Sequence, residues 1–150
     1  MSIGEFCNRE VVFATRKTNI IEAAQLMRRY HVGDLVVVDE VDGQRVPVGL
    51  VTDRDIVVEV VAKDCPAGNC AVESIMSAQL ISVEEQAGVI TTIRLMRTHG
   101  IRRIPVVNGK GGLVGIVSGD DMLDLLADEL AQLAKVSPRE QVREVRSRIS

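Results

Sequence analysis

Gly49-Leu-Val-Thr52-Asp-Arg-Asp55, and again Gly115-Ile-Val-Ser118-Gly-Asp-Asp121, spell one pattern twice: a glycine, two apolar residues, a hydroxyl, and an acid three positions on. Both copies stand where a run of branched apolar residues gives way to a helical period. The string itself recurs at an offset of 66, but upstream the offset is 69, laying Leu26-Met27-Arg28 over Leu95-Met96-Arg97 and Val37-Val38 over Val106-Val107. The difference falls in a turn, residues 40–45 against 109–112, where length changes between repeats belong. The order of chemical types holds throughout, which points to a tandem duplication.

Each copy has the same grammar. A short apolar strand is expected over 11–13 and over 80–83. A helix follows, with Ile20, Ala23, Ala24 and Met27, then Val89, Ile93 and Met96, at the 3.6-residue spacing. Thr18-Asn19 offers the first helix a start signal. Two strands come next, over 35–38 and 46–51 around an Asp42-Gly43 turn, and over 104–107 and 113–117 around Asn108-Gly109. A second helix closes each unit, over about 53–62 and 119–133. The unit is β-α-β-β-α, twice. An apolar segment precedes each first strand, 3–7 and 72–76, and the offset lays Cys7 over Met76, so Cys7 reads as a small buried hydrophobe. Neither unit has enough surface to bury alone, so the two should pack sheet against sheet. The expected division is repeat 1 over 1–62, a linker with Pro66 and Gly68 over 63–70, repeat 2 over 71–134, and a helical tail over 135–150.

Composition narrows the functions. The 150 residues are 46% hydrophobic but include no Trp, one Tyr and two Phe, so the core must be aliphatic and the base-stacking rings of single-strand nucleic-acid binders are scarce. A net charge of −3 gives no general attraction to a phosphate backbone. Three cysteines at unpatterned spacing and no basic, apolar leader predict a cytoplasmic chain with reduced thiols, and no apolar run is long enough to span a bilayer. Two histidines exclude a three-histidine metal site. No nucleophile–base constellation appears, so no catalytic residue, metal or cofactor is expected. Asn108-Gly-Lys-Gly-Gly lacks the ending and spacing of a phosphate loop and reads as a hairpin turn.

What remains is the repeated string. Thr52 or Ser118 as N-cap, with Asp55 or Asp121 three residues on, is a capping box, and for one isolated copy that is the simpler reading. The same corner suits a ligand. A hydroxyl and free N–H groups at a helix start fit a phosphate or sugar oxygen, and a carboxylate one turn in can accept both hydroxyls of a ribose. The glycine upstream admits another backbone or a flat base. Two copies in matched positions favour the ligand.

With the Leu-Met-Arg helix ends and the strand Arg103-Ile-Pro-Val-Val, these strings resemble a CBS domain pair, the family named after cystathionine beta-synthase, over about residues 1–134. The resemblance implies an α+β fold of two small facing sheets with helices outside. It also implies adenosine-containing ligands (AMP, ADP, ATP, NAD or S-adenosylmethionine) in clefts between the repeats. Thr52 with Asp55, and Ser118 with Asp121, would hold the ribose. Val32, Gly33, Asp34, Ile101, Arg102 and Arg103 would line adenine or reach phosphate, with Arg54 adding charge. Each cleft should mix copies: Ser118 and Asp121 with Gly33 and Asp34, Thr52 and Asp55 with Arg102 and Arg103. The latter is then the better phosphate site, since Asp34 and Asp120 repel anions in the former.

Outside the repeats, Ser137-Pro138-Arg139-Glu140 has the form of a capping box opening a helix over Val142, Val145 and Ile149, either a solvated helix or a partner contact through its apolar stripe. Stripes on the second helices, Ile56, Val57, Val60 and Val61 against Met122, Leu123, Leu125 and Leu126, point to a homodimer. The expected protein is a regulatory nucleotide-sensing module that signals to a protein partner. The alternative is a ligand-free dimerisation or interaction module, with no membrane or nucleic-acid role in either case.

Overall fold

Asn19 starts the first helix. Its side chain accepts the Glu22 N–H at 2.8 Å, and α1 (Ile20–Tyr30) turns Ile20, Ala23 and Met27 to the core. His31, left-handed at φ 54°, ends it, as Gly100 at φ 62° ends α3 (Val89–His99) in the second repeat. The computed structural model describes residues 1–77 and 79–149. Around these helices run β1 (Phe13–Thr15), β2 (Asp34–Val41), β3 (Gln44–Thr52) and α2 (Asp53–Ile56) in the first repeat. The second has β4 (Val83–Glu84), β5 (Arg103–Val107), β6 (Leu113–Ser118) and α4 (Gly119–Ala134), and α5 (Val136–Ile149) follows. Each repeat forms a three-stranded mixed sheet, β1 parallel to β2 and β2 antiparallel to β3, repeated as β4, β5 and β6. Asp42 and Gly43 both take positive φ in the first hairpin turn, as a two-residue turn with the sheet's twist requires. The fold is the α+β pair of repeats that the pattern implies.

Several local expectations shift. The first strands begin at Phe13 and Val83, two to three residues later than the apolar runs suggest. Val11 and Val12 are half-buried beside the sheet, tied by one bond from the Val36 N–H to the Val12 carbonyl at 3.2 Å. Ala24 is exposed. On α3 Thr92, which stands where Ala23 does on α1, is fully buried and donates its hydroxyl to the Gly88 carbonyl at 3.0 Å. Beyond α2 the backbone widens into π-type turns over Val57–Val61, with the Ala62 N–H reaching the Val57 carbonyl at 2.9 Å. Four valines in that stretch are stiff at χ1 and crowd the preceding turn, which disfavours tight winding.

The segments ahead of each first strand cross over. Ile3 and Cys7 are buried with Ile104, Val106 and Val117 of the second repeat, whereas Val72 is buried with Val37 and Val51 of the first. Backbone bonds fasten both crossings. Ile3 N–H donates to the Ala87 carbonyl at 2.7 Å, and Asn8 and Ile116 exchange bonds at 2.8 and 2.9 Å. On the other side Val72 N–H donates to Thr18 at 2.8 Å and Ser77 N–H to Leu50 at 3.0 Å. Each core is completed by a piece of the other repeat, so the two fold as one body. The glycine opening the repeated string is explained by this crossing. A Cβ on Gly115 would stand 2.6 Å from Cys7 Sγ and 2.7 Å from the Asn8 carbonyl, and one on Gly49 would stand 2.5 Å from Met76 Sδ. Burial also pushes the Cys7 thiol pKa up, as suits a packing residue.

The end of the chain departs from expectation. α5 begins at Val136, so Ser137 lies inside it and caps nothing. Lys135 is right-handed helical (φ −86°, ψ −4°), which leaves no extended N-cap conformation for Ser137 to use. The Glu144–Arg148 ion pair forms, but no residue of α5 is buried. On the second helices Val60 and Met122 are core residues, not surface stripe. Of the expected stripes Val57, Val61, Leu123 and Leu126 are exposed, and Val58, Leu130 and Leu133 are exposed beside them. Among the described residues no helix is long and apolar enough to cross a membrane.

Candidate functional site

The two strand-to-helix corners are built alike. Ser118 Oγ accepts the Asp121 N–H at 3.1 Å, and Asp121 Oδ2 accepts the Ser118 N–H at 2.9 Å. Thr52 and Asp55 make the same two bonds at the same distances. The capping box is therefore real in both copies. It occupies one carboxylate oxygen, leaving Oδ1 and the hydroxyl proton available to a ligand. Each corner is also tied to the start of its own middle strand. Asp53 N–H donates to the Gly33 carbonyl at 2.9 Å and Gly119 N–H to the Arg102 carbonyl at 2.7 Å.

The structure brings Ser118 and Asp121 together with Gly33 and Asp34, from opposite repeats, around a cleft of about 280 Å³ that Asp120 and Arg103 also line. It joins a recess of about 580 Å³ walled by Leu26, Tyr30 and Val32. Asn8, Glu10, Val11, Val12 and Val32 line both spaces. An apolar recess beside a hydroxyl–carboxylate corner can take a flat ring and hold a vicinal diol attached to it. The polar end is acidic: Glu10, Asp34, Asp120 and Asp121 stand against Arg103.

Arg103 is itself engaged, its Nε 2.9 Å from Asp34 Oδ1, with only 17% of the Asp34 side chain exposed. Burial raises the Asp34 pKa above the usual carboxylate range; the Arg103 charge opposes the rise and Asp53 adds to it. Arg102 donates to Asp120 at 3.1 Å, both largely exposed. Here the expectation that Arg102 and Arg103 serve the Thr52–Asp55 side fails. Their guanidinium groups are held by Asp120 and Asp34, two carboxylates of the Ser118–Asp121 cleft, and Arg103 lines that cleft itself. Among the other expected residues, Val32 lines both spaces, Ile101 packs against the second core, and Arg54 is exposed outside the cleft.

Asn8, Glu10 and Tyr30 escaped the sequence reading. The first two ride on the crossing segment, and the only hint of their place was Cys7 falling in register with Met76. A separate cavity of about 420 Å³ between the two hairpin tips, lined by Arg9, Arg45 and Asn108, contains none of the expected site residues. Among the described residues no group of three or more His, Cys, Asp or Glu could hold a metal ion.

Comparison with known proteins agrees with this architecture. The CBS domain model matches twice, at residues 3–62 and 72–128. The uncharacterized protein MK0525 of Methanopyrus kandleri is 36% identical over 125 residues, covering 83% of this chain but 62% of that one. A Burkholderia ambifaria structure named for signal transduction and CBS domains superposes with a TM-score of 0.68 at 31% identity, over 79% of this chain and 84% of that one. The CBS domain pair of protein MJ0100, solved with 5′-methylthioadenosine and S-adenosyl-L-methionine, superposes with a TM-score of 0.74 at 26% identity, over 86% and 98%.

Proposed function

Because the chain belongs to the CBS domain family, whose paired domains are regulatory, we propose that it is a non-enzymatic sensor holding an adenosyl ligand between its repeats. The observation that carries this reading is the Ser118–Asp121 corner opening onto a cleft that both repeats line. Ser118 and Asp121 hold the ribose hydroxyls, and the base lies toward Val32 and the recess beside Tyr30. Thr52 and Asp55 form the corresponding corner of the first repeat, with Arg54 at its rim, and Ile101 is the second repeat's counterpart of Val32. Four carboxylates, of which Asp34 is paired with Arg103 and Asp120 with Arg102, leave Glu10 and Asp121 uncompensated and disfavour a chain of phosphates, so the favoured ligand is poor in phosphate or positively charged in its tail, as S-adenosylmethionine is, in preference to ATP or ADP. Occupancy straddles Asp34 and Arg103, the pair joining the repeats, and through them reaches a protein partner. The protein acts as a homodimer in the cytoplasm, in keeping with its three free cysteines.

A second reading has its own observation: both capping boxes are complete without a ligand, as they would be in a purely structural dimerisation module. Thermal unfolding with AMP, ADP, ATP, NAD and S-adenosylmethionine separates the two. A ligand at a hundred times its Kd stabilises the fold by about 2.7 kcal/mol. The sensor raises its Tm with S-adenosylmethionine more than with ATP; a flat response across the panel leaves the structural module.

A further inference from the structure

The cavity between the two hairpin tips is separate from the cleft and differs from it in charge. Its volume of about 420 Å³ lies within the range of small-molecule sites. Arg9 and Arg45 line it with a single acid, Glu40, whereas four acids and one arginine line the cleft. Val11, Phe13, Leu113 and Val114 give it an apolar wall. The crossing segment divides the two spaces: Asn8, Glu10 and Val12 line the cleft, and Arg9 lines only the cavity.

The two arginines are held in place without being neutralised. Arg9 donates to the Gly4 carbonyl at 3.0 Å, and the Arg45 guanidinium carbon lies 4.2 Å from the centre of the Phe13 ring. Glu40 stands directly across the strand pair from Arg45, yet Arg45 lies on the ring instead. Among the described residues neither Arg9 nor Arg45 forms an ion pair, in contrast to Arg16, Arg102 and Arg103. A guanidinium carries several N–H donors in a planar fork, and most of these are unspent on both residues. The tips themselves are fixed. Asn108 Nδ2 donates to Gln44 Oε1 at 3.3 Å, and Asn108 Oδ1 accepts the N–H groups of Lys110 and Gly112 at 2.9 and 3.0 Å. Duplication does not account for the charge. At the 69-residue offset Arg9 and Phe13 correspond to Ala78 and Ser82, and the second turn, 109–112, is too short for a counterpart of Arg45.

We propose that the hairpin-tip cavity is a second ligand site, taking a small organic dianion, a phosphomonoester or a dicarboxylate, whose charged groups are held by Arg9 and Arg45 and whose carbon body rests on Val11 and Leu113. Planar guanidinium forks match the oxygens of either head group, and two positive charges balance a dianion. Glu40 limits the charge that fits, because a longer polyanion meets repulsion there. The site stands apart from the adenosyl reading, since it contains neither Ser118 nor Asp121.

Isothermal titration of the full chain with glycerol 3-phosphate, succinate and inorganic phosphate tests it. One of the two organic dianions binds saturably and more tightly than inorganic phosphate; glycerol 3-phosphate alone assigns the site to phosphomonoesters, succinate alone to dicarboxylates. That affinity falls about tenfold or more in Arg45→Gln and in Gln44→Glu, the effect of losing a hydrogen bond to a charged group or of setting a carboxylate beside it. Gln44→Glu keeps an acceptor for Asn108 Nδ2, so it melts no lower than the parent and its loss of binding is not a loss of fold. Asp121→Ala in the cleft and Arg143→Ala in the tail helix bind the dianion as the parent does. The proposal is overturned if neither organic dianion binds more tightly than inorganic phosphate, if Arg45→Gln and Gln44→Glu bind as the parent does, or if Asp121→Ala or Arg143→Ala weakens binding equally.

Discussion

Positions 34 and 103 are equivalent in the two repeats, yet one is aspartate and the other arginine, and they bond to each other at 2.9 Å. In a perfect duplication the same residue would meet its own copy there, and like charges would repel. Divergence at this one pair turns a repulsion into a bond joining the repeats. The corners at Thr52 and Ser118 show the opposite history. They have kept the same hydrogen bonds, because any helix starting at the end of a strand needs its first N–H groups satisfied. Conserved geometry within the duplication therefore marks local need, and asymmetry marks where the repeats face each other.

The glycines opening the two strings sharpen this comparison most. At Gly115 an added Cβ meets the carbonyl of Asn8, a residue held in place by two backbone bonds to Ile116, one accepted by that carbonyl and one donated by its N–H. At Gly49 it meets only the Met76 side chain, which can turn aside. Gly115→Ala should cost about 3 kcal/mol and Gly49→Ala about 1 kcal/mol, at the two ends of the range for overpacking. Urea unfolding measures both, and equal costs would mean that the two crossings are equally rigid.

A smaller effect concerns the Asp34–Arg103 pair. Burial lifts the Asp34 pKa, so the folded chain binds that proton more tightly than the unfolded chain does. The stability contributed by this linkage is complete below the unfolded value of about 3.9 and is lost as pH rises through the raised folded value. Compared with Asp34→Asn, which does not titrate, the parent chain should gain stability as pH falls across that window. Parallel stability profiles in the two proteins would place the carboxylate in a more solvated setting than its burial indicates.

Much of the fold was legible because its signals are local. The Asp42-Gly43 turn, the Asn19 cap and the paired Gly-to-Asp strings each state their own geometry within a few residues. The crossing of residues 3–7 and 72–76 into opposite cores is a long-range choice between two similar cores, and apolar character alone does not say which one a segment enters. For the same reason the cleft was half legible. Ser118 and Asp121 stood out in the repeated string and Gly33 and Asp34 came only with the family resemblance, whereas Asn8 and Glu10 depend on the crossing and the ties of Arg102 and Arg103 on side-chain pairing. At Ser137 a clear local signal was overridden, because the helical backbone at Lys135 continues into it.

The most direct test is isothermal titration of S-adenosylmethionine into the parent chain, Asp121→Ala and Asp55→Ala. A carboxylate holding ribose hydroxyls contributes about 1.5–3 kcal/mol, the range for hydrogen bonds to charged groups. Asp121→Ala should therefore lose more than tenfold in affinity for the Ser118 cleft while Asp55→Ala leaves that cleft unchanged, although both lose about 1 kcal/mol of stability with their caps. Loss of stability in both variants with no heat of binding in any of the three proteins would contradict the ligand site and leave the two corners as helix caps alone.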